Sequence, residues 1–121
     1  MEKNKQKRKQ IPLYSGLIKY FPDALCEVAR VSYIGSKQHH PDKELHWDRE
    51  KSSDDLDALM RHLLEAGTYD DDGILHDSKI VWRSLANLQK VLEKKKKDDK
   101  WVVDQYNRNR LPHDQIISGT E

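Results

Sequence analysis

The sequence predicts an all-α protein, an antiparallel helix bundle whose core is completed by oligomerisation. Three observations predict it. Apolar residues recur at helical spacing in two separate stretches. A proline stands where a helix would begin, at Pro22. No stretch alternates as a half-buried strand would.

The elements follow in chain order. Residues 1–10 read as a flexible basic tail. Residues 11–20 (IPLYSGLIKY) read as a short helix or a strap on the core. The run from Pro22 carries Ala24, Leu25, Val28, Ala29 and Val31 on one side, with Gly35 as its expected stop. Residues 36–51 (SKQHHPDKELHWDREK) read as a polar loop, long enough to suggest a functional role. Ser52 and Ser53 are the expected caps of the next helix, with Asp54 and Asp55 in its first turn. Leu56, Leu59, Met60, Leu63 and Leu64 recur at i, i+3, i+4, i+7 and i+8, the stripe expected to face the core. Gly67 is its expected end. TYDDDG then forms a turn, and Asp77 or Ser78 caps a helix striped by Val81, Leu85, Leu88 and Leu92. From Lys94 the pattern degrades. The expected organisation is a tail (1–10), a helical domain (11–93) and a charged extension (94–121) that is partly disordered or touches other subunits.

Composition limits the function classes. Hydrophobic residues make up 36% of the chain and charged residues another 36%, so one chain buries a modest core. The net charge of +1, from 22 basic and 21 acidic residues, argues against a bulk nucleic-acid binder. Cys26 is the sole cysteine, which excludes an internal disulfide and fits a reducing cytoplasm. No run of about 18 apolar residues is present, so no membrane span is expected.

Several side chains are candidates for chemistry. Asp23, Glu27 and Arg30 fall on one stripe of the first long helix. Asp54 and Asp57 share a face with Arg61 and Glu65 on the next. If those helices cross, the carboxylates meet, and such a group repels itself unless a cation such as Mg²⁺ sits within it. The commoner reading of an acidic stripe opposite an apolar one is a solvated face, and Asp is favoured in first turns by the helix dipole. Lys79 and Arg83, four apart, are candidates for holding phosphate oxygens, or are an exposed basic face. Trp47 reads as pinning its loop to the core. His39, His40 and His46 match no closed zinc spacing, and His62 reads as structural. The DDDG turn fails as an EF-hand, because Leu75 and Val81 stand where Gly and Glu are required. The Lys94–Lys97 run reads as a solvated helix end.

IPLYSGLIKYFPDALCEVARVS, LHWDREKSSDDLDALMRHLLEAG and DDDGILHDSKIVWRSLANLQ together resemble a phage and bacterial family of dATP/dGTP diphosphohydrolases. That family includes the MazZ enzymes and is related to the all-α MazG and HisE-like nucleoside triphosphate pyrophosphohydrolases. The resemblance implies an all-α fold, Mg²⁺ or Mn²⁺ as cofactor, and a homodimer or homotetramer. It also implies a purine (deoxy)nucleoside triphosphate as substrate, dGTP or dATP, cut to the monophosphate and pyrophosphate. In phages with 2-aminoadenine DNA, such enzymes supply dGMP. The wider family's metal motif is ExxE followed by ExxD. Asp54 and Asp57 match its second half with Asp in place of the first Glu. In the first half Glu27 is present, with Asp23 four positions before it instead of an acid three before. The resemblance thus implies Asp23, Glu27, Asp54 and Asp57 as metal ligands, and Glu27, Asp54 and Asp57 as the catalytic acids. Lys79, Arg83 and Trp47 would contact substrate. A non-catalytic helical adaptor and phosphoribosyl-ATP hydrolysis are the competing expectations.

Overall fold

The computed structural model describes residues 1–51 and 53–109. Its helices are α1 (Lys5–Arg8), α2 (Pro22–His39), α3 (Asp55–Leu64) and α4 (His76–Asn109). A π-helical turn spans Tyr14–Ile18 and a 3-10 turn Arg49–Lys51. Among the described residues there is no strand, only an antiparallel bridge between Tyr69 and Leu75. The protein is all-α. No described helix is long and apolar enough to cross a membrane. The chain divides into two compact units, Met1–Leu85 and Ala86–Glu121.

Within the first unit, α1 occupies the segment expected to be a flexible tail. The Asn4 side chain caps it by accepting from the amides of Gln6 and Lys7. Helix α2 starts at Pro22 as expected, but Gly35 does not stop it. A glycine inside a helix costs about 1 kcal/mol relative to alanine, too little to end it alone. The helix ends at His40, whose backbone (φ −142°, ψ 70°) has left the helical region. Pro41 follows, and proline disfavours helical geometry in the residue before it. The irregular segment is therefore shorter than expected.

Helix α3 is capped at Asp54, not Ser53, and Ser52 lies outside the described residues. It stops before Gly67, whose φ of +84° only glycine adopts without strain. The Gly67 amide then donates to Asp77 Oδ1 at 2.6 Å, so Asp77 ties the start of α4 back to the end of α3. Between them the chain makes a tight turn: Gly73 N donates to Asp70 O at 3.0 Å and Asp70 N to Ile74 O at 2.8 Å. Ile74, only 1% exposed, plugs this turn into the core.

Helices α3 and the start of α4 run antiparallel. Asp55 meets Arg83 at 3.0 Å, and His62 meets His76 at 2.8 Å, so the contacts run in opposite chain directions. Asp55 and Ala58 are the buried residues of α3. The leucine stripe is not buried: Leu56 is 63% exposed and Leu64 80%, with Met60 and Leu63 also exposed. Sequence periodicity placed that stripe against the core. The face used inside the chain is instead the one that bonds Asp55 and His62 to α4, with small Ala58 allowing close approach.

In α4, Val81, Leu85, Leu88 and Leu92 are likewise exposed. Within the second unit the helix does not degrade at Lys94 but continues to Asn109. Lysine and glutamate are good helix formers. Lys94 also donates to Asp98 one turn on, at 2.9 Å, and this bond holds its pKa above the usual lysine value. Residues 110–121 of the expected extension lie outside the described residues.

Candidate functional site

A cavity of about 370 Å³ opens in the first unit, and four segments build it. The last turns of α2 give Ser32, Gly35, Ser36 and His39. The loop after α2 gives His40, His46, Trp47 and Asp48. His62 comes from α3, and Asp72, Lys79, Trp82 and Arg83 from the turn and α4. A Cβ on Gly35 would meet nothing within 4 Å. Ser36 is buried, and its hydroxyl has no hydrogen-bond partner among the described residues. A buried polar atom without a partner is uncommon, and one on a cavity wall suits a ligand.

The loop is held in shape by its own side chains. His40 Nε2 lies 3.2 Å from Asp48 Oδ2, and His46 Nδ1 lies 3.0 Å from the Glu44 carbonyl. The Arg49 guanidinium covers Trp47 at 4.5 Å. The Trp47 ring meets Trp82 edge to face, with centroids 6.0 Å apart. Trp47 thus fixes the loop to α4 while also facing the cavity.

Lys79 bridges Asp70 at 2.6 Å and Asp72 at 2.7 Å. Burial works against its charge, but the two hydrogen bonds outweigh burial and raise its pKa above the ordinary value. Asp70 is held below the usual carboxyl value, first by its bond from Lys79 and then by the Asp71 amide. For Asp72, burial pushes upward, and the bonds from Lys79 and the Ile74 amide more than offset it. Arg83 pairs with buried Asp55. His62 is pushed below 6.5 by burial and then by His76, so it is neutral near pH 7.

Of the residues singled out in the sequence, Trp47, Lys79 and Arg83 come together on this one cavity. Asp23, Glu27, Asp54 and Asp57 do not line it. Asp23, Asp54 and Asp57 are exposed. Glu27 holds Arg30 of its own helix at 3.0 Å, and Asp54 holds Arg61 at 3.3 Å. Among the described residues the ligand atoms of these four acids do not gather into one group. The group that does gather is His62, Asp70 and His76, whose ligand atoms all lie within 4.8 Å of one another.

Sequence reading gives no site role to Asp55, Ser36, Asp72 or His76. One signal was available: Asp55 and His62 are seven apart on α3, as are His76 and Arg83 on α4. That spacing keeps each pair on one helix face. It became visible only when the helices paired antiparallel.

The family model described as dATP/dGTP diphosphohydrolase, N-terminal, matches residues 2–100. No curated protein and no solved structure matches the chain. The match takes in the whole cavity and covers most of the sequence, so this chain belongs to the dATP/dGTP diphosphohydrolase family.

Proposed function

We propose that the chain hydrolyses purine deoxynucleoside triphosphates, dGTP foremost and dATP also, to the monophosphate and pyrophosphate. The observation that carries this reading is the convergence of Trp47, Trp82, Lys79 and Arg83 on one cavity in a member of this family. The base lies against the tryptophans, where stacking is worth about 1–3 kcal/mol. Lys79 and Arg83 lie along the phosphates. Charge bonded to the leaving pyrophosphate oxygens stabilises the transition state of α-phosphorus displacement.

The charges on the cavity wall support a need for metal. Lys79 and Arg83 are balanced there by Asp48 and Asp72, which leaves no formal surplus of positive charge. A triphosphate brings several negative charges, and Mg²⁺ or Mn²⁺ neutralises them and activates the attacking water when bound. Asp23, Glu27, Asp54 and Asp57 stand in the proposal as acids that serve this cation. Because they do not form a ligand set as placed, no step is derived through a metal on them.

The proposed working form is a homodimer or homotetramer. The exposed leucine stripes support it, since apolar surface of this extent on one chain marks a contact surface. Supply of dGMP to 2-aminoadenine nucleotide synthesis in a phage is the proposed setting, and it rests on the family resemblance.

The test is pyrophosphate release from a panel of NTPs and dNTPs with Mg²⁺ or Mn²⁺, products resolved by chromatography. Preferential conversion of dGTP to dGMP with intact pyrophosphate is the expected outcome. No turnover of any triphosphate by folded protein with either metal overturns the proposal. Asp54→Asn is expected to remove activity with helical content unchanged. Full activity in that variant removes Asp54 from the machinery.

A further inference from the structure

We propose that His62, Asp70 and His76 bind one transition-metal dication of the Mn²⁺, Co²⁺ or Zn²⁺ kind, with an open coordination position on the cavity side. The three side chains come from α3, the turn and the start of α4, yet their ligand atoms lie within 4.8 Å of one another. A tetrahedral ion with bonds of about 2.0–2.2 Å holds its ligand atoms roughly 3.3–3.6 Å apart, so the facing imidazole nitrogens, 2.8 Å apart, open slightly on binding, within reach of side-chain rotation.

The histidine pair carries the inference furthest. His76 is 5% exposed, and its two ring nitrogens face different partners. Nε2 points to Glu65 Oε2 at 3.5 Å, and Nδ1 lies 2.8 Å from His62 Nδ1. A carboxylate beside Nε2 favours the tautomer that carries its proton there, which leaves the Nδ1 lone pair toward His62. An outer-shell carboxylate orienting a ligating histidine is the usual arrangement at metal sites. Two imidazole nitrogens at 2.8 Å share either one ring N–H, donated by one to the lone pair of the other, or a metal ion. Asp70 adds a carboxylate oxygen to the same group.

Lys79 bridges Asp70 and Asp72 beside the group, and Glu65 lies against His76. Two imidazoles and one carboxylate suit borderline ions better than Mg²⁺ or Ca²⁺, which prefer oxygen alone. Three protein ligands leave a position open, as at reactive metal sites. His62 also lines the cavity, which puts that position beside Lys79 and Asp72. A phosphate oxygen of the nucleotide fills it. This last part rests on the nucleotide reading above, whereas the metal site itself does not.

The test uses the whole chain stripped of metal. Titration with Co²⁺ is expected to give saturable visible absorption at one equivalent per chain. X-ray absorption of the Zn²⁺-loaded protein is expected to show two imidazoles on the metal. This second reading uses the unmodified chain, so it does not depend on any variant folding. His62→Gln and His76→Gln are expected to lose more affinity than the ~10–100-fold that outer-shell changes cause, and Glu65→Gln to fall within that range. Absence of Co²⁺ binding, imidazole-free coordination, or full affinity in both histidine variants overturns the site and leaves a plain hydrogen-bonded pair. Inorganic pyrophosphate is expected to perturb the Co²⁺ spectrum, and an unchanged spectrum overturns the open position. Triphosphate turnover with Mg²⁺ is read on the same samples. Metal binding without turnover overturns the proposed function alone, and turnover without binding overturns this site alone.

Discussion

Lys79 sits between two carboxylates that both titrate lower in the folded chain than in the unfolded one. The sign of the pH effect follows. Stability from this contact is fully present above the unfolded carboxyl value of 3.8 and is lost as pH falls through the lower folded values. His62 acts higher on the scale. Its folded pKa lies below 6.5, so its contribution is complete above that pH and weakens as the unfolded chain gains protons below it. Metal-free protein is expected to lose stability on acidification in two stages, one setting in below pH 6.5 and one below 3.8. Lys79→Met is expected to cost about 2 kcal/mol at pH 7, because it leaves two carboxylates facing each other. It also weakens the lower stage, since only the Asp71 and Ile74 amides then hold Asp70 and Asp72 down. Urea titrations at a series of pH values check both. A single stage in the parent chain, or a lower stage undiminished in the variant, defeats this account of the contact.

At the scale of the element, the turn between α3 and α4 decides the site. Gly67 and Gly73, both at positive φ, let the chain reverse tightly enough for His62 to face His76. Ile74 anchors the reversal. Ile74→Ala is expected to destabilise the protein by about 2–4 kcal/mol, since a buried isoleucine leaves a cavity when truncated. The same variant is expected to loosen the Asp70–Lys79–Asp72 contact, seen as faster amide exchange at residues 70–76. A loss under about 1 kcal/mol, with unchanged exchange, means that the turn is held elsewhere. The loop after α2 is the second such element. Pro41 sets where α2 stops, and the Arg49–Trp47–Trp82 stack decides where the loop lies.

At the scale of the molecule, the exposed apolar stripes dominate. Leu56, Met60, Leu63 and Leu64 repeat along α3, and Val81, Leu85, Leu88 and Leu92 along α4. A homo-oligomer that covers them is expected to melt at a temperature that rises with protein concentration. Met60→Glu with Leu64→Glu is expected to shift the mass measured by light scattering to that of one chain. The chain being a monomer before substitution contradicts the oligomer.

The sequence by itself determined the class, the helix periodicities and the family. Helical stripes, a proline start and glycine turns act over a few residues, so they are legible without a fold. It also marked Trp47, Lys79 and Arg83, which share the cavity. Which face of α3 packs inward was decided only by tertiary structure. Hydrophobic spacing records which face leaves water, not whether the same chain or a second one covers it. The pairing of Asp55 with Arg83 and of His62 with His76 depends on antiparallel register across a turn, and register joins positions 28 and 14 apart in sequence. The acids on α2 and α3 share faces on their own helices. Whether acids on separate helices meet is a matter of helix crossing, which side-chain spacing along one helix does not contain.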